Sequence, residues 1–441
     1  MSKDASVLIS ENMSLKELIK TVAPGAIIYL VIALYAVIDS LLIDIFINET
    51  AIAATSVFLP VVSLFVGLGY MAGTGGNAAI MKAQGENDHK KAQDLHSQLM
   101  TCAIFLGISI PLIFFILQNP VMKLLGMTGD NAVYVTGYYR VSVCFMPVLL
   151  FSCVINLMLI GEGRLGLVAV LELAGGLTNC ILDIIFMGFL NTGIAGAALA
   201  TGLGYLLQTL TAFVMVKKTS VYDLKPVRID IKEMSAVFFN GISEFLSSIS
   251  TAVVTVILNN VSGKYWGAVG MSVVCVITNI IYMVSFVFMG FLVALEPLIA
   301  YFYGQKNRKE LKSLISKSLK IVGCSSIIIT LSVTAFRKNI SASFFEVDSK
   351  YYSIAVKGFL LAAGVYAFTG FNMFVSGLFT AYSNGRVSGF FSLMRSLVIY
   401  ALMILILSKI FGGDGMWIAM SATEILSAIL GIYLIRTRLR V

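Results

Sequence analysis

The sequence predicts an all-α polytopic membrane protein, with twelve transmembrane helices in two pseudo-symmetric six-helix lobes. Three observations carry this prediction. The chain has 441 residues, a mean hydropathy of +0.92, 58% hydrophobic residues and only 12% charged ones. Its long apolar runs do not alternate, so they read as helices and not as barrel strands. Basic residues collect in every second loop, and motifs of the first half return in the second at a near-constant spacing.

Taken in order, the spans fall at about 14–47, 52–82, 90–118, 130–160, 164–190, 193–217, 232–261, 266–303, 309–335, 350–382, 386–409 and 414–436. Several exceed the hydrocarbon thickness and are expected to tilt or protrude. One set of loops holds Lys82, Lys90 and Lys91; Arg164; Lys217, Lys218, Lys225, Arg228 and Lys232; Lys306, Arg308, Lys309 and Lys312; Arg386; and Arg436, Arg438 and Arg440. The other set holds few cations: Lys123, Lys264, Arg337, Lys338, Lys350 and Lys409. The positive-inside rule then puts both termini in the cytoplasm, as an even span count requires. The net charge of +8 resides in these loops, so nucleic acid is excluded as a partner. The polar N-terminus and long first run do not read as a cleavable signal. Cys102, Cys144, Cys153, Cys180, Cys275 and Cys324 sit in or beside apolar runs without CxxC spacing, as packing residues do. His89 and His96 form no cluster, and no nucleophile motif suggests an enzyme.

The polar stretch Lys217–Lys232 divides the chain into an N-terminal lobe (1–217), a cytoplasmic linker (218–231) and a C-terminal lobe (232–441). Gly85-Glu-Asn-Asp-His-Lys-Lys is echoed by Gly304-Gln-Lys-Asn-Arg-Lys-Glu, 219 positions later. Gly161-Glu-Gly-Arg is echoed by Ser383-Asn-Gly-Arg at 222, and Gly196-Ala-Ala-Leu-Ala by Gly415-Met-Trp-Ile-Ala at 219. Six spans per copy give both copies the same orientation. This is a parallel repeat, which places a substrate route between halves and suits alternating access.

Asp39 is the residue that most needs a partner. No charge occurs between Ala23 and Asp39, and a carboxylate buried in a span costs several kcal/mol unless it meets water, a cation or a partner. Asp44 lies close enough to the polar turn after span 1 to reach the interface. In span 5, Asn179 and Asp183 are four apart and share a face. Thr201 in span 6 lies at a similar depth, and Tyr35 is one turn from Asp39. Oxygen ligands from Asp39, Asn179, Asp183 and Thr201 suit a hard cation such as Na⁺, while two close carboxylates can instead share a proton. The bland alternative is a polar network that locks spans 1, 5 and 6 together.

The second half has no such pair, because the repeat partners of Asp39 and Asp183 fall near Leu258–Asn259 and Leu405. It has Glu244, Glu296, Arg395 and Glu424 instead. Arg395 is expected to form a structural ion pair with one glutamate. A glutamate left unpaired and facing the cavity would attract cationic substrates. Pro24, Pro147 and Pro297 can kink their spans. The glycines of span 2, Gly67 to Gly76, permit close packing.

With these residues in place the chain resembles the multidrug and toxic compound extrusion family over nearly its whole length, closest to the bacterial MepA-like branch. The carrying segments are Tyr35–Ser40, the Gly-rich span 2 ending in Gly85-Glu-Asn-Asp, Asn179-Cys-Ile-Leu-Asp183 and Gly193-Ile-Ala-Gly-Ala-Ala-Leu-Ala-Thr201. The second half adds Asn240-Gly-Ile-Ser-Glu244 and Glu296-Pro-Leu-Ile-Ala-Tyr-Phe-Tyr-Gly304. Where that branch often carries glutamine before Pro-Leu, this chain has Glu296. The resemblance implies two lobes in a V, and cation-coupled export (Na⁺ or H⁺) of cationic, amphipathic compounds across a bacterial cytoplasmic membrane. It implies a cation site at Asp39, Asn179, Asp183 and Thr201 supported by Tyr35, a kink at Pro24, and a functional acid at Glu244. Small-molecule cations and membrane lipids are the expected partners, a monomer the expected state, and no cofactor is expected beyond the transported ion. The rival reading is a lipid-linked oligosaccharide or peptidoglycan-precursor flippase, which would call for cationic side chains along the cavity.

Overall fold

The computed structural model describes residues 12–439 except 48, 125–130, 224 and 226. Within the helices, the side chains of 36, 37, 40, 44, 49–57, 124, 131–135, 219 and 268 are also outside the description. The expectations for Asp44 and Arg440 lie outside the described residues. Among those described there is no strand. Eleven helices are long and apolar enough to cross a membrane, and a bent pair completes twelve.

The first lobe comprises span 1 (Leu15–Phe46), span 2 (Glu49–Gly85), span 3 (His89–Ile116), span 4 (Asn131–Gly161), span 5 (Leu165–Asp183, continued by the π-turn Ile184–Phe189) and span 6 (Ile194–Thr219). The second comprises span 7 (Ile231–Asn240 and Ile242–Trp266), span 8 (Ala268–Gly304), span 9 (Arg308–Phe344), span 10 (Lys350–Leu361 and Ala363–Ala381, bent by 44°), span 11 (Gly385–Phe411, with a π-turn at Met394–Ile399) and span 12 (Asp414–Arg438). Span 1 begins with a capping box: Glu17 N donates to Ser14 Oγ at 3.2 Å, and Ser14 N donates to Glu17 Oε2 at 2.7 Å. The helix then runs through Pro24 without interruption.

Four tight turns between spans share one construction. Asn87, Gly163, Lys306 and Ser383 each take positive φ. At each, paired backbone bonds close the preceding helix, as in Asp88 N to Ala83 O and Asn307 N to Phe302 O. The next residue opens the following span, and Asp88, Asn307 and Asn384 each accept a backbone N–H three residues on. Asn87 and Lys306 are 219 apart, as are Gly193 and Gly412, which open spans 6 and 12 at positive φ. The turn at Gly163 recurs at Ser383, a spacing of 220. The echo read at 222 is therefore out of register by two: its letters match Gly-Arg, but the backbone equivalence follows the left-handed residue.

Two other expectations change. Span 9 runs to Phe344, nine residues beyond its expected end at 335, because Arg337 and Lys338 stay helical past the apolar run. Span 7 is not one helix from 232 but breaks at Gly241. A Cβ there would lie 2.0 Å from Met71 O of span 2, so the break brings the two lobes' backbones together.

That contact belongs to a larger seam. Gly25 of span 1 abuts Gly290 of span 8, Gly85 abuts the Tyr301 carbonyl, and Gly304 abuts that of Lys82. Asn12 N donates to Glu310 Oε2 at 2.9 Å, tying the start of span 1 to span 9. Tyr29 and Phe286 touch further along. These contacts between the lobes lie on the half that carries the basic loops. The connection between lobes is anchored to the first: Tyr222 stacks on buried His96 at 4.9 Å, and Asp230 N donates to Gln98 Oε1 at 2.7 Å.

Candidate functional site

Spans 1, 5 and 6 build a polar ladder inside the first lobe. Span 5 presents Glu172, Asn179 and Asp183 at spacings of seven and four, one face of a helix. Span 6 presents Thr201, Tyr205 and Gln208 on one face in the same way. At the outer rung Asn179 Nδ2 donates to Thr201 Oγ1 at 3.2 Å. At the middle, the hydroxyls of Tyr35 and Tyr205 lie 3.4 Å apart. At the inner rung Gln208 Nε2 donates to Glu172 Oε1 at 2.7 Å. Glycines admit the neighbouring spans: a Cβ on Gly175 would meet Gln208 at 3.1 Å, and one on Gly176 would meet the Tyr35 ring at 3.0 Å.

The structure brings Asp39, Asn179, Asp183, Thr201 and Tyr35 to this ladder. Asp39 faces both Asp183 and Asn179. Asp183 is fully buried, and Asp39 is the charged group that acts on it. Both oxygens of Asp183 and Oδ1 of Asp39 are buried without a hydrogen-bond partner among the described residues. No lysine or arginine acts on either carboxylate. Orphaned acceptors on two acids, beside an amide and a hydroxyl, are what a small cation or a shared proton would satisfy. No group of three or more His, Cys, Asp or Glu gathers among the described residues. The π-turn begins one residue after Asp183, and such turns often occur at functional sites.

The second-lobe acids separate into two kinds. Glu424 is held by Arg395, whose Nη2 donates to Oε1 at 2.8 Å and whose Nε donates to Oε1 and Oε2 at 3.1 and 3.2 Å. Asn372 Nδ2 donates to Glu424 Oε2 at 2.6 Å. Arg395 lies in the second π-turn. Glu244 and Glu296 have no ion pair among the described residues; they act on one another across spans 7 and 8, with Arg395 in reach of Glu244. Glu296 lies over Gly377 of span 10, where a Cβ would come within 2.4 Å of Oε1. Of the three glutamates, only Glu424 is ion-paired among the described residues. Pro24 stands next to Gly25, at the seam between lobes and away from the ladder.

Sequence reasoning missed Glu172 with its partners Asn156 and Gln208. The signal was available, since Glu172 precedes Asn179 by seven positions on the face already singled out. It passed unnoticed because its two partners come from spans 4 and 6, at separations of 16 and 36 residues.

The MatE family model matches residues 24–185 and 244–406, one segment in each lobe. The multidrug export protein MepA of Staphylococcus aureus is 24% identical over 418 residues, covering 92% of this chain and 91% of that protein. MepA of Staphylococcus saprophyticus is 23% identical over 447 residues, covering 100% and 98%. Among solved structures, a MATE protein in complex with MaL6 superposes with a TM-score of 0.92 at 22% identity, over 99% of this chain and 98% of that one. An outward-facing multidrug resistance MATE transporter gives 0.91 at the same identity and coverage. Two matched segments that span most of the chain settle the relationship: it belongs to the MatE family, whose members are membrane transporters and not enzymes.

Proposed function

We propose that the protein is a cation-coupled antiporter that exports cationic, amphipathic small molecules across the cytoplasmic membrane by alternating access. The observation that carries this reading is the pair Asp39 and Asp183 in the first lobe, Asp183 buried and Asp39 half-buried, with orphaned oxygens and no cationic side chain acting on either among the described residues. Asp39, Asn179, Asp183 and Thr201 would hold the transported Na⁺ or H⁺, with Tyr35 closing the site from span 1. Occupation can bias the two access states only if the site's geometry differs between them. The site is drawn from spans 1, 5 and 6, and span 1 also forms the seam with span 8, so movement at the seam would reach it. The staphylococcal relatives are multidrug export proteins, and this reading assigns the same class of cargo. Glu244 and Glu296 are the acids free to attract a cationic cargo in the second lobe.

The flippase alternative asks for cations along the cavity. Arg395 is engaged by Glu424, Lys357 pairs with Asp414, and Arg140 Nε donates to Gln118 Oε1 at 3.0 Å. These engagements favour export of cations over translocation of a polyanionic headgroup. The ion is identified by ethidium efflux from proteoliposomes with an imposed Na⁺ or pH gradient. If Na⁺ couples, it should also protect the wild-type protein against heat where K⁺ does not, and Asp39→Asn should erase that difference. Efflux that ignores both gradients would refute coupling.

A further inference from the structure

We infer that Glu172 is a second ion-binding group of the first lobe, that its ligand is a proton, and that it gains and loses this proton during transport. Glu172 is only 9% exposed, in the middle of span 5. It stands eleven residues from Asp183, about 16 Å along the helix axis. No ion pair to it exists among the described residues, and no cation acts on it. The titratable groups around it are Tyr29 and Tyr35 of span 1, Tyr70 of span 2, Cys153 of span 4 and Tyr205 of span 6, none of which can supply a positive charge.

The hydrogen bonds decide the ligand. Asn156 Nδ2 at 2.8 Å and Gln208 Nε2 at 2.7 Å both donate to Oε1, which leaves Oε2 without a hydrogen bond among the described residues. Asn156 Oδ1, on the same amide, is buried without a donor among them. A metal ion wants a shell of oxygens, but this carboxyl is flanked by two N–H groups that would repel one. A proton needs a single free oxygen, and the O–H it forms is a donor of the kind that the buried Asn156 Oδ1 lacks among the described residues. The outer rung differs, since Asp39 and Asp183 offer several orphaned acceptors and suit either ion. Between the rungs stand the paired hydroxyls of Tyr35 and Tyr205, able to accept and pass on a proton without net change. Proton binding at Glu172 does not depend on the outer pair being the coupling site; only its role in transport rests on that reading.

The test is infrared difference spectroscopy of the purified full-length protein across pH, performed in an Asp39→Asn/Asp183→Asn background so that the outer pair is silent. One protonated-carboxyl C=O band should vanish when Glu172→Gln is added. Gln keeps a carbonyl oxygen for both amides, so the fold should persist. Asn156→Ala, which removes one hydrogen bond to that carbonyl, should shift the same band to higher frequency without abolishing it. With Asp39 and Asp183 intact, Glu172→Gln should flatten the pH dependence of efflux while ethidium binding survives. If neither Glu172→Gln nor Asn156→Ala alters any pH-dependent carboxyl band, Glu172 does not titrate and the proposal falls. If the band responds but the efflux profile does not change, its part in transport falls. Failure of the outer pair alone would instead show as efflux that persists in the double-substituted background.

Discussion

At the scale of single residues, the second lobe separates a structural acid from two available ones. Arg395 and Glu424 have side chains only 17% and 11% exposed, so removing the guanidinium strands a buried carboxylate. Breaking such a pair costs about 3–5 kcal/mol, whereas replacing both partners by apolar groups of similar size can be neutral. Arg395→Ala should therefore unfold at clearly lower temperature, and Arg395→Met/Glu424→Met should recover most of the loss. An Arg395→Ala protein as stable as wild type would contradict the assignment. Glu244 and Glu296 have no hydrogen-bonded ion pair among the described residues, so Glu244→Gln should weaken binding of permanent cations more than of neutral compounds while sparing stability. Equal loss for both classes would remove it from substrate recognition. The pairing of Arg395 with some glutamate was legible because an isolated arginine in a span needs a counter-charge. Which glutamate was not legible: Glu424 is 29 residues away on span 12, and the pairing depends on how spans 11 and 12 pack.

At the scale of elements, two effects of opposite sign meet at the glycines of the seam. Gly25→Ala, inside span 1, would favour the helix by about 1 kcal/mol on propensity alone. Its Cβ, however, would stand 2.3 Å from the Gly290 carbonyl, and Gly241→Ala would place one 2.0 Å from Met71 O. Backbone cannot yield as a flexible side chain does, so the clash should win. Each substitution should part the lobes at the basic end and shift the population away from this access state. Spin-label distances across the seam should lengthen; unchanged distances would show that the seam tolerates the extra carbon. The helices themselves were legible from uninterrupted apolar runs, and four of the turns from their Gly, Asn and Asp signals. The break at Gly241 was marked by Asn240-Gly241 but read as part of one span, and the two π-turns leave no local mark. The same holds for Glu172, whose meaning depends on amides from two other helices.

At the scale of the whole molecule, the parallel repeat and the basic loops fix the expected topology. With the basic ends inward, a thiol introduced at exposed Lys225 in a cysteine-free background should resist an impermeant reagent in intact cells and react once they are opened. Labelling from outside would invert the assignment. The ladder of spans 1, 5 and 6 lies on the first lobe's side, and the seam at the basic end. The decisive experiment compares gradient-driven ethidium efflux by wild-type, Asp39→Asn and Asp183→Asn proteins in proteoliposomes, with ethidium binding measured in parallel without a gradient. Each substitution should abolish gradient-driven efflux and leave binding largely intact. Efflux at the wild-type rate from both variants would mean that the carboxylate pair only holds the lobe together.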